Sequence, residues 1–295
     1  MKKALILSGG GARGAFQIGV WKYLKEKNWI PDIICGTSIG AINAAGIGSG
    51  LGIKELSEIW TTHNRRKMYK IRLIPFLAHL LIRQNFTPIL DTAPTKALLN
   101  KYLDFNALKT SKIEVIISAV NILTARPEFF NNNEIKLEHL IASSAMPIIF
   151  PWQYINGQPY WDGGVMVNTP LFPALAQDVD EIIVVMLSPV GNVQQSEPDT
   201  VINAGEHVFE HFLSGSYQTT MLSNGLHEHN KIDLNAHTTQ YLNIKNRSSK
   251  IPKIITIAPS RMQGFKSLLN FSLKQAKNLI DEGYRKAQYQ CNNYI

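Results

Sequence analysis

Cysteine and charged residues are scarce in this chain. Two of its 295 residues are cysteines, Cys35 and Cys291, which excludes a disulfide framework and any four-cysteine zinc site. Charged residues make up 18% and hydrophobic residues 45% of the sequence, a balance that excludes an intrinsically disordered chain and a coiled coil. We therefore expect a soluble globular protein, long enough to bury a sizeable core without metal or disulfide cross-links.

Long apolar segments are also lacking. The basic start, Met1–Leu7, is followed by glycines from Gly9 onward, so its apolar run is shorter than the core of a signal peptide. Residues 33–53 contain no charge and could span a bilayer by length, but six glycines interrupt them. We predict no signal peptide and no transmembrane helix. The expected location is the cytoplasm or the surface of a membrane, and export without a signal peptide stays open.

Positive charge is in excess, with 30 Lys and Arg against 22 Asp and Glu. A net charge of +8 suits nucleic acid, a membrane surface or an anionic substrate, and does not choose among them. The segment 61–110, which we expect to form a cap or a membrane-contact insertion, is locally basic around the apolar stretch Ile71–Ile82, which is too short to cross a bilayer. This stretch is either a buried helix or a segment lying among lipid headgroups. The basic C-terminal helix allows the same two interpretations.

Short apolar runs alternate with helical patterns along the chain. A buried strand is followed by a tight glycine turn and a helix with one apolar face, and the same succession then repeats. This order is typical of a parallel α/β sheet. Residues 190–250, rich in Asn, Ser, Gln, Thr and His, are expected to form long loops or a cap within a single domain of residues 1–295. The predicted strands are Ala4–Leu7, Ile33–Cys35, Ile113–Val120 and Glu181–Leu187, and the predicted helices are Ala15–Glu26, Ile39–Gly46 and Phe265–Gln290.

The first motif, Gly9-Gly10-Gly11-Ala12-Arg13-Gly14, joins the first strand to the first helix. Its first, third and last glycines match the G-x-G-x-x-G pattern of dinucleotide-binding proteins. That pattern requires an acidic residue at the end of the second strand, whereas Asp32 stands before it. The same backbone N–H groups at a helix start can instead stabilise a developing oxyanion. A nucleotide-binding protein therefore remains one alternative function.

Two further motifs indicate nucleophilic catalysis. Gly36-Thr37-Ser38-Ile39-Gly40 has the G-x-S-x-G pattern of a nucleophile elbow, in which glycines let a strand turn sharply into a helix. Asp162-Gly163-Gly164 stands far along the chain and by itself indicates only a turn. A nucleophilic serine needs a base, most often histidine. An α/β-hydrolase-type esterase on small soluble esters is thus a second alternative, and the histidines that follow Asp162 are His207, His211, His227, His229 and His237.

Together these motifs resemble those of the patatin-like phospholipases. That family has a G-G-G-x-R-G loop, a G-x-S-x-G serine and a later D-G-G aspartate, and all three occur here in the same order. Residues 142–147, with the sequence Ala-Ser-Ser-Ala-Met-Pro, extend the resemblance, as do Asn168 and Pro170. The resemblance covers a core of about residues 4–187, with the exception of the segment 61–110, which it does not reach. Membership implies a three-layer α/β/α sandwich around a mostly parallel sheet.

The resemblance also implies a mechanism with a catalytic dyad. Ser38 is the nucleophile and Asp162 accepts its proton, so that an acyl-enzyme forms and is then hydrolysed. Arg13 either contacts an anionic headgroup or, with Gly14, supports the glycine loop. The implied glycine roles are the oxyanion hole for Gly9, Gly10 and Gly11, the elbow for Gly36 and Gly40, and the turn after the base for Gly163 and Gly164.

The implied enzyme is a phospholipase A or lysophospholipase that contacts a membrane surface transiently. No metal is expected, calcium included, no other cofactor is expected, and nucleic acid is not an expected partner. Headgroup, acyl position, chain length, oligomeric state and any activating protein are left open. A catalytically inactive scaffold that keeps the same motifs is the remaining alternative.

Overall fold

The computed structural model describes residues 1–63, 68–71, 88–191, 197–224, 226, 251–292 and 294. The strands are β1 (Lys3–Leu7), β2 (Ile33–Thr37), β3 (Lys70–Ile71), β4 (Leu90–Asp91), β5 (Glu114–Asn121), β6 (Arg126–Asn131), β7 (Gln153–Ile155), β8 (Gln158–Asp162), β9 (Glu181–Val185) and β10 (Lys253–Ile257). The α-helices are α1 (Ala15–Glu26), α2 (Ile39–Gly48), α3 (Ile53–Thr62), α4 (Ala93–Tyr102), α5 (Phe105–Lys109), α6 (Leu137–Ser143), α7 (Phe172–Leu175), α8 (Val201–Ser223), α9 (Gly264–Leu268) and α10 (Leu273–Cys291).

A mostly parallel sheet forms the centre of the fold. Its strand order is β10-β9-β1-β2-β5-β8-β7, and β6 pairs with β5 as well. The first five strands in this order are mutually parallel, whereas β6, β7 and β8 run antiparallel to their neighbours. A parallel sheet is covered on both faces, which explains why β1 and β9 are nearly continuous apolar runs. The predicted strands are confirmed to within a few residues.

Helices cover both faces of this sheet. Leu5 and Leu7 of β1 join a core with Phe16 of α1 on one face. Ile6 points to the opposite face and joins a core with Tyr217 of α8. Successive side chains of a strand point to opposite faces, so each central strand contributes to both cores. The predicted three-layer α/β/α sandwich is confirmed, as is the helix over residues 15–26.

The prediction of one helix over Phe265–Gln290 is wrong, because two helices occupy this segment. The Ser272 side chain accepts a hydrogen bond from a backbone amide in the first turn of α10. This cap satisfies one of the amides that a helix start leaves open, so α10 begins anew after α9. Between the two helices, Phe271 stacks on Trp60 of α3.

Residues 190–250 were predicted to form long loops or a cap, and the prediction of loops is wrong for residues 201–223, where α8 is a helix of 23 residues. Thr200 caps its start by accepting a hydrogen bond from the Asn203 amide. The buried positions of α8 are spaced three or four residues apart and include the polar residues Glu210 and Ser214. Polar residues on the inner face obscure the apolar period that marks a helix in a sequence. Residues 192–196, 225 and 227–250 lie outside the described residues.

Part of the segment 61–110, predicted as a cap or a membrane-contact insertion, is described. It contains the β3–β4 pair, α4 and α5. The apolar stretch Ile71–Ile82 lies outside the described residues except for its first residue, so its two interpretations stay predictions. Among the helices of the described ranges, none combines the length and hydropathy needed to cross a bilayer. The single-domain organisation likewise stays a prediction.

Two glycines let α1 and α10 touch backbone to backbone. A β-carbon on Gly19 would overlap the carbonyl oxygen of Ile280, and one on Gly283 would overlap that of Phe16. Side chains therefore have no space at this crossing. By contrast, a β-carbon on Gly215 in α8 would have no atom of the described residues within 4 Å.

Gly19→Ala should therefore lower the free energy of unfolding, and Gly215→Ala should raise it. Overpacking costs about 1–3 kcal/mol, which outweighs the roughly 1 kcal/mol that alanine gains over glycine inside a helix. At Gly215 only this gain applies. Urea unfolding of both variants beside the wild type measures the two differences. Changes of the same sign at the two positions would contradict the described packing of α1 on α10.

Candidate active site

The register of β5 brings residues 38 and 162 together. Thr37, the last residue of β2, pairs with Ser118, and Asp162, the last residue of β8, pairs with the next residue, Ala119. β6 occupies one edge of β5 alongside the residues that pair with β2 and those that pair with β8. β2 and β8 therefore share the other edge of β5 and meet there end to end. Ser38, which follows β2, therefore lies directly beside the end of β8.

Ser38 occupies a sharp turn between β2 and α2. Its φ of 56° and ψ of −123° are strained for a residue with a side chain. A β-carbon on Gly36 would overlap the carbonyl oxygen of Gly40, and one on Gly40 would overlap that of Leu7. The turn can be this tight because both flanking residues are glycine. It places the Ser38 hydroxyl at the carboxyl ends of the parallel strands, where open α/β sheets bind ligands.

The Ser38 hydroxyl donates a 2.7 Å hydrogen bond to Oδ2 of Asp162. The other carboxylate oxygen, Oδ1, accepts a hydrogen bond from the Gly164 amide at 2.7 Å. Asp162 is 1% exposed. This burial raises the pKa of Asp162 to about 7, against the lowering effect of the two hydrogen bonds. A carboxylate with such a pKa is a stronger base than an ordinary aspartate, whose pKa is ~3.9.

Hydrogen bonds that involve buried hydroxyl groups hold the turn at Ser38 in place. The Ser38 amide donates a 3.0 Å hydrogen bond to Oγ of Ser143, at the end of α6. The Thr37 hydroxyl donates to the carbonyl oxygen of Val167 at 2.8 Å and lies 2.6 Å from Oγ of Ser118. These bonds connect the elbow to α6, to β5 and to the segment after β8. Sequence analysis placed Ser143 in a family motif but gave it no role.

The glycine loop reaches the site from the end of β1. Gly10 and Gly11 line the cavity in front of Ser38, and their φ angles are 156° and 57°. No atom of the described residues accepts a hydrogen bond from either of their amides. The Gly9 amide, however, donates to the carbonyl oxygen of Asn168 at 3.0 Å. Of the three amides predicted to form the oxyanion hole, that of Gly9 is therefore already occupied.

Arg13 is a buried support of this loop. Its guanidinium forms a 2.6 Å ion pair with Glu210 of α8, and the two side chains are 1% and 4% exposed. It also donates to the Ser267 hydroxyl at 2.7 Å and to the carbonyl oxygens of Leu187 and Gly264. Contact with a lipid headgroup, one of the two predicted roles, is wrong because partners from within the chain enclose the guanidinium. No sequence signal marked Glu210 as its partner, since the two lie far apart in the chain.

Two further predicted glycines lie where segments of the chain approach closely. A β-carbon on Gly14 would lie 2.5 Å from the Ile39 side chain, and one on Gly163 would overlap Oγ of Ser118. Gly14 thus lets the glycine loop pack against α2. Gly163 lets the turn after Asp162 pack against β5.

An apolar cavity of about 270 Å³ lies in front of Ser38 and Asp162. A second apolar cavity of about 50 Å³ adjoins it and shares some of its walls, among them Ile42 and Phe271. A mostly apolar pocket with a few polar groups suits a ligand that has a large apolar part. The apolar residues lining the larger cavity include Ile39, Ile42, Met146, Ile149, Phe150, Phe209, Phe212, Leu213, Phe265, Leu268 and Phe271.

The late histidines, predicted as an alternative base, gain no support from the described residues. His207 and His211 lie on α8, and neither lines the cavity. The Ser38 hydroxyl is instead hydrogen-bonded to the carboxylate of Asp162. The remaining candidates, His227, His229 and His237, lie outside the described residues.

The nucleotide-binding alternative requires an acidic residue near the glycine loop. Asp32 accepts a hydrogen bond from the Lys3 amide at 2.7 Å, and it precedes β2. Because β1 and β2 are parallel, the loop and Asp32 lie at opposite ends of the strands. Within the described ranges, no group of three His, Cys, Asp or Glu side chains is placed to hold a metal ion.

The family model for patatin-like phospholipases matches residues 5–175. This chain belongs to the patatin-like phospholipase family. The matched region contains the glycine loop, Ser38 and Asp162, and covers more than half of the chain. The resemblance inferred from the motifs is confirmed.

Curated phospholipases and lysophospholipases are similar to this chain. The cGAMP-activated phospholipase of Vibrio cholerae serotype O1 is 29% identical over 200 residues, which cover 59% of this chain and 56% of that protein. Lysophospholipase NTE1 of Cryptococcus neoformans var. neoformans is 28% identical over 235 residues, which cover 74% of this chain and 13% of that protein. The chain spans about half the length of the cGAMP-activated relatives.

A solved structure shares the fold. VipD from Legionella pneumophila is 15% identical with a TM-score of 0.51, and the match covers 99% of this chain and 67% of VipD. At this level of identity the likeness concerns the arrangement of strands and helices. It agrees with the sheet order and layers described above.

The raised pKa of Asp162 predicts how stability depends on pH. A carboxyl group whose pKa rises on folding stabilises the folded state below its unfolded pKa of ~3.9, and this contribution is lost as the pH rises to about 7. Asparagine has nearly the same shape and carries no charge to desolvate. Asp162→Asn should therefore match the wild type in free energy of unfolding at about pH 4 and exceed it above about pH 7.

Denaturant unfolding of both proteins across this pH range measures the effect. Asp32→Asn is the matched control, because Asp32 is exposed and its substitution should give no such pH-dependent gain. A gain for Asp162→Asn that stayed constant with pH would show that burial does not penalise the charge on Asp162.

Proposed function

We propose that this chain is a serine lipid acyl hydrolase that cleaves fatty-acyl ester bonds of phospholipids or lysophospholipids. The observation that carries the proposal is the hydrogen bond from Oγ of Ser38 to the buried carboxylate of Asp162, at the wall of an apolar cavity. Membership of the patatin-like phospholipase family supports the same substrate class. So do the names of the phospholipase and lysophospholipase relatives.

In the first half of the proposed reaction, Oγ of Ser38 attacks the ester carbonyl carbon while its proton passes to Oδ2 of Asp162. The tetrahedral intermediate collapses to an acyl-enzyme, and the departing alcohol takes the proton from Asp162. In the second half, water attacks the acyl group as Asp162 accepts a proton from it. The fatty acid then leaves and Ser38 regains its proton. A pKa of about 7 for Asp162 suits a group that must both accept and return a proton near neutral pH.

The amides of Gly10 and Gly11 are the proposed oxyanion donors. Both residues line the cavity, and neither amide has an acceptor among the described residues. One such donor is typically worth about 10²–10³ in turnover. Arg13 holds this loop in place through its ion pair with Glu210 and so acts by positioning.

The proposed site for the fatty-acyl chain is the apolar cavity in front of Ser38. The smaller cavity beyond Ile42 extends the apolar volume on the same side. Nucleophile, base and oxyanion donors all come from the chain itself in this mechanism. The proposal therefore includes activity without calcium or another metal.

The proposal is tested by fatty-acid release from mixed phospholipid and lysophospholipid vesicles in the presence of EDTA. The wild type should release fatty acid, and Ser38→Ala should fall by roughly 10⁴-fold or more because the nucleophile is lost. Asp162→Asn should fall strongly as well, because asparagine cannot accept the proton. Ser49→Ala and Asp32→Asn are the matched controls, since both residues lie away from the cavity lining, and both should retain wild-type rates.

Each failure has a separate meaning. Near-normal activity of Asp162→Asn would replace the dyad with a histidine base and favour the esterase mechanism. Activity that EDTA abolishes would contradict the metal-free mechanism. Because relatives bear the name cGAMP-activated phospholipase, the assay is repeated with cGAMP and with a cell extract. A wild type that stays silent under all these conditions would contradict the lipase function.

A further inference from the structure

The first half of the helix α8 exposes apolar residues on its outer face. The inner face of the helix carries the ion-paired Glu210 and the buried Ser214, together with the buried apolar residues Leu213, Tyr217 and Met221. Its outer face carries Val201, Val208 and Phe212, which are 91%, 70% and 44% exposed. Surface helices usually turn their apolar side toward the core. The second half of α8 follows this rule, whereas the exposed residues of the first half form a row of apolar side chains that no other described part of the chain covers.

The apolar row leads to the mouth of the cavity. Phe212 lines the cavity that contains Ser38 and is also partly exposed. Phe265 of α9 also lines this cavity and is 40% exposed. The Phe209 ring joins them, with ring centroids 6.1 Å from Phe212 and 5.3 Å from Phe265. The outer face of α8 and the cavity are therefore one continuous apolar surface.

Cationic side chains occur on α9 and on the segments that flank it. Lys266, next to Phe265, is exposed, and so are Arg261 and Lys274. None of the three forms an ion pair with a described residue. The acidic groups of this region include Glu206, which accepts a hydrogen bond from the Phe265 amide, and Glu282, which lines a surface pocket together with Arg261 and Lys274. The exposed acidic residues Glu197 and Asp199 precede the first turn of α8.

We propose that this surface docks on a phospholipid bilayer. The docking face consists of Val201, Ile202, Val208 and Phe212 of α8 with Phe265 of α9. Its apolar side chains enter the boundary between headgroups and acyl chains, and the neighbouring cations contact anionic headgroups. A fatty-acyl chain then passes from the bilayer to Ser38 along an apolar path. The inference rests on the proposed lipid hydrolase function, because that function makes the bilayer the source of substrate.

A bilayer fits this face better than a protein partner does. Large exposed apolar surfaces mark interaction sites, and this one continues into a pocket that ends at a reactive serine. The basic C-terminal helix, for which the sequence left open a buried helix or a membrane segment, lacks such a face. The apolar residues of α10, among them Leu279 and Ala287, are buried against the rest of the fold.

Vesicle binding is measured first in the Ser38→Ala background, where no substrate is consumed. Val201→Asp with Val208→Asp should weaken binding to mixed phosphatidylcholine and phosphatidylglycerol vesicles by about tenfold or more, because two apolar side chains no longer enter the bilayer. Leu123→Asp is the matched control, since Leu123 is exposed to the same 70% as Val208 and lies on the turn between β5 and β6. It should bind as the parent does. Equal binding by the double variant and the parent would overturn the proposal, as would a parent that does not bind vesicles.

A second variant gives a positive signal that does not depend on losing function. In the Val208→Trp variant, the fluorescence of the added tryptophan should be quenched by brominated lipids when the protein binds vesicles. In Leu123→Trp it should not be quenched. Quenching at both positions or at neither would contradict docking through α8. If the double variant instead dissolves a dimer and leaves vesicle binding unchanged, the face is an interface between copies and the proposal is wrong.

Activity separates docking from chemistry. With Ser38 intact, Val201→Asp with Val208→Asp should lose most vesicle hydrolysis but keep kcat/KM on a short-chain soluble ester, because neither residue lines the cavity. Equal losses on both substrates would contradict a docking role. A protein that binds vesicles through this face but hydrolyses no ester would sustain docking and contradict the proposed hydrolase function.

Discussion

The candidate site depends on one register in the central sheet. β5 pairs first with β2 and then with β8 along the same edge, and the two pairings meet between Ser118 and Ala119. This junction sets the Ser38 hydroxyl against the Asp162 carboxylate across 124 positions of sequence. A shift of one residue would turn the side chains of a strand to the other face, so Ser38 and Asp162 would no longer meet. The bond between them is therefore built into the backbone pairing of the sheet.

The same region holds two features that oppose stability. Ser38 has a strained backbone, and the Asp162 carboxyl group is buried where its charge is poorly solvated. Such features persist only where the surrounding structure enforces them, and here glycines, the Ser143 hydroxyl and the Gly164 amide do so. Burial also raises the pKa of Asp162 to about 7, which supports its proposed role as the base for the Ser38 hydroxyl. α8 contributes to the same region by closing the cavity and pairing with Arg13.

The parts of the structure that were predictable from sequence are those with local signals. The first helix is apolar at four-residue spacing and begins where predicted, and the two glycine motifs mark turns that follow buried strands. α8 was missed because Glu210 and Ser214 occupy its inner face, where only tertiary contacts make polar residues acceptable. The partners of Arg13 and of the Gly9 amide come from distant segments. No local pattern encodes such contacts, so the sequence could neither show that the Gly9 amide is already hydrogen-bonded nor choose between the two predicted roles of Arg13.

The most direct test of the dyad is the rate at which a fluorophosphonate modifies the protein across pH. Mass spectrometry of the product should place the adduct on Ser38. The rate for the wild type should rise with pH to a plateau with a midpoint at about 7, where Asp162 loses its proton. Asp162→Asn should react about 10²–10⁴-fold more slowly, as expected for loss of a general base, and without this inflection. An adduct at another residue, or equal rates for the two proteins, would contradict direct activation of Ser38 by Asp162.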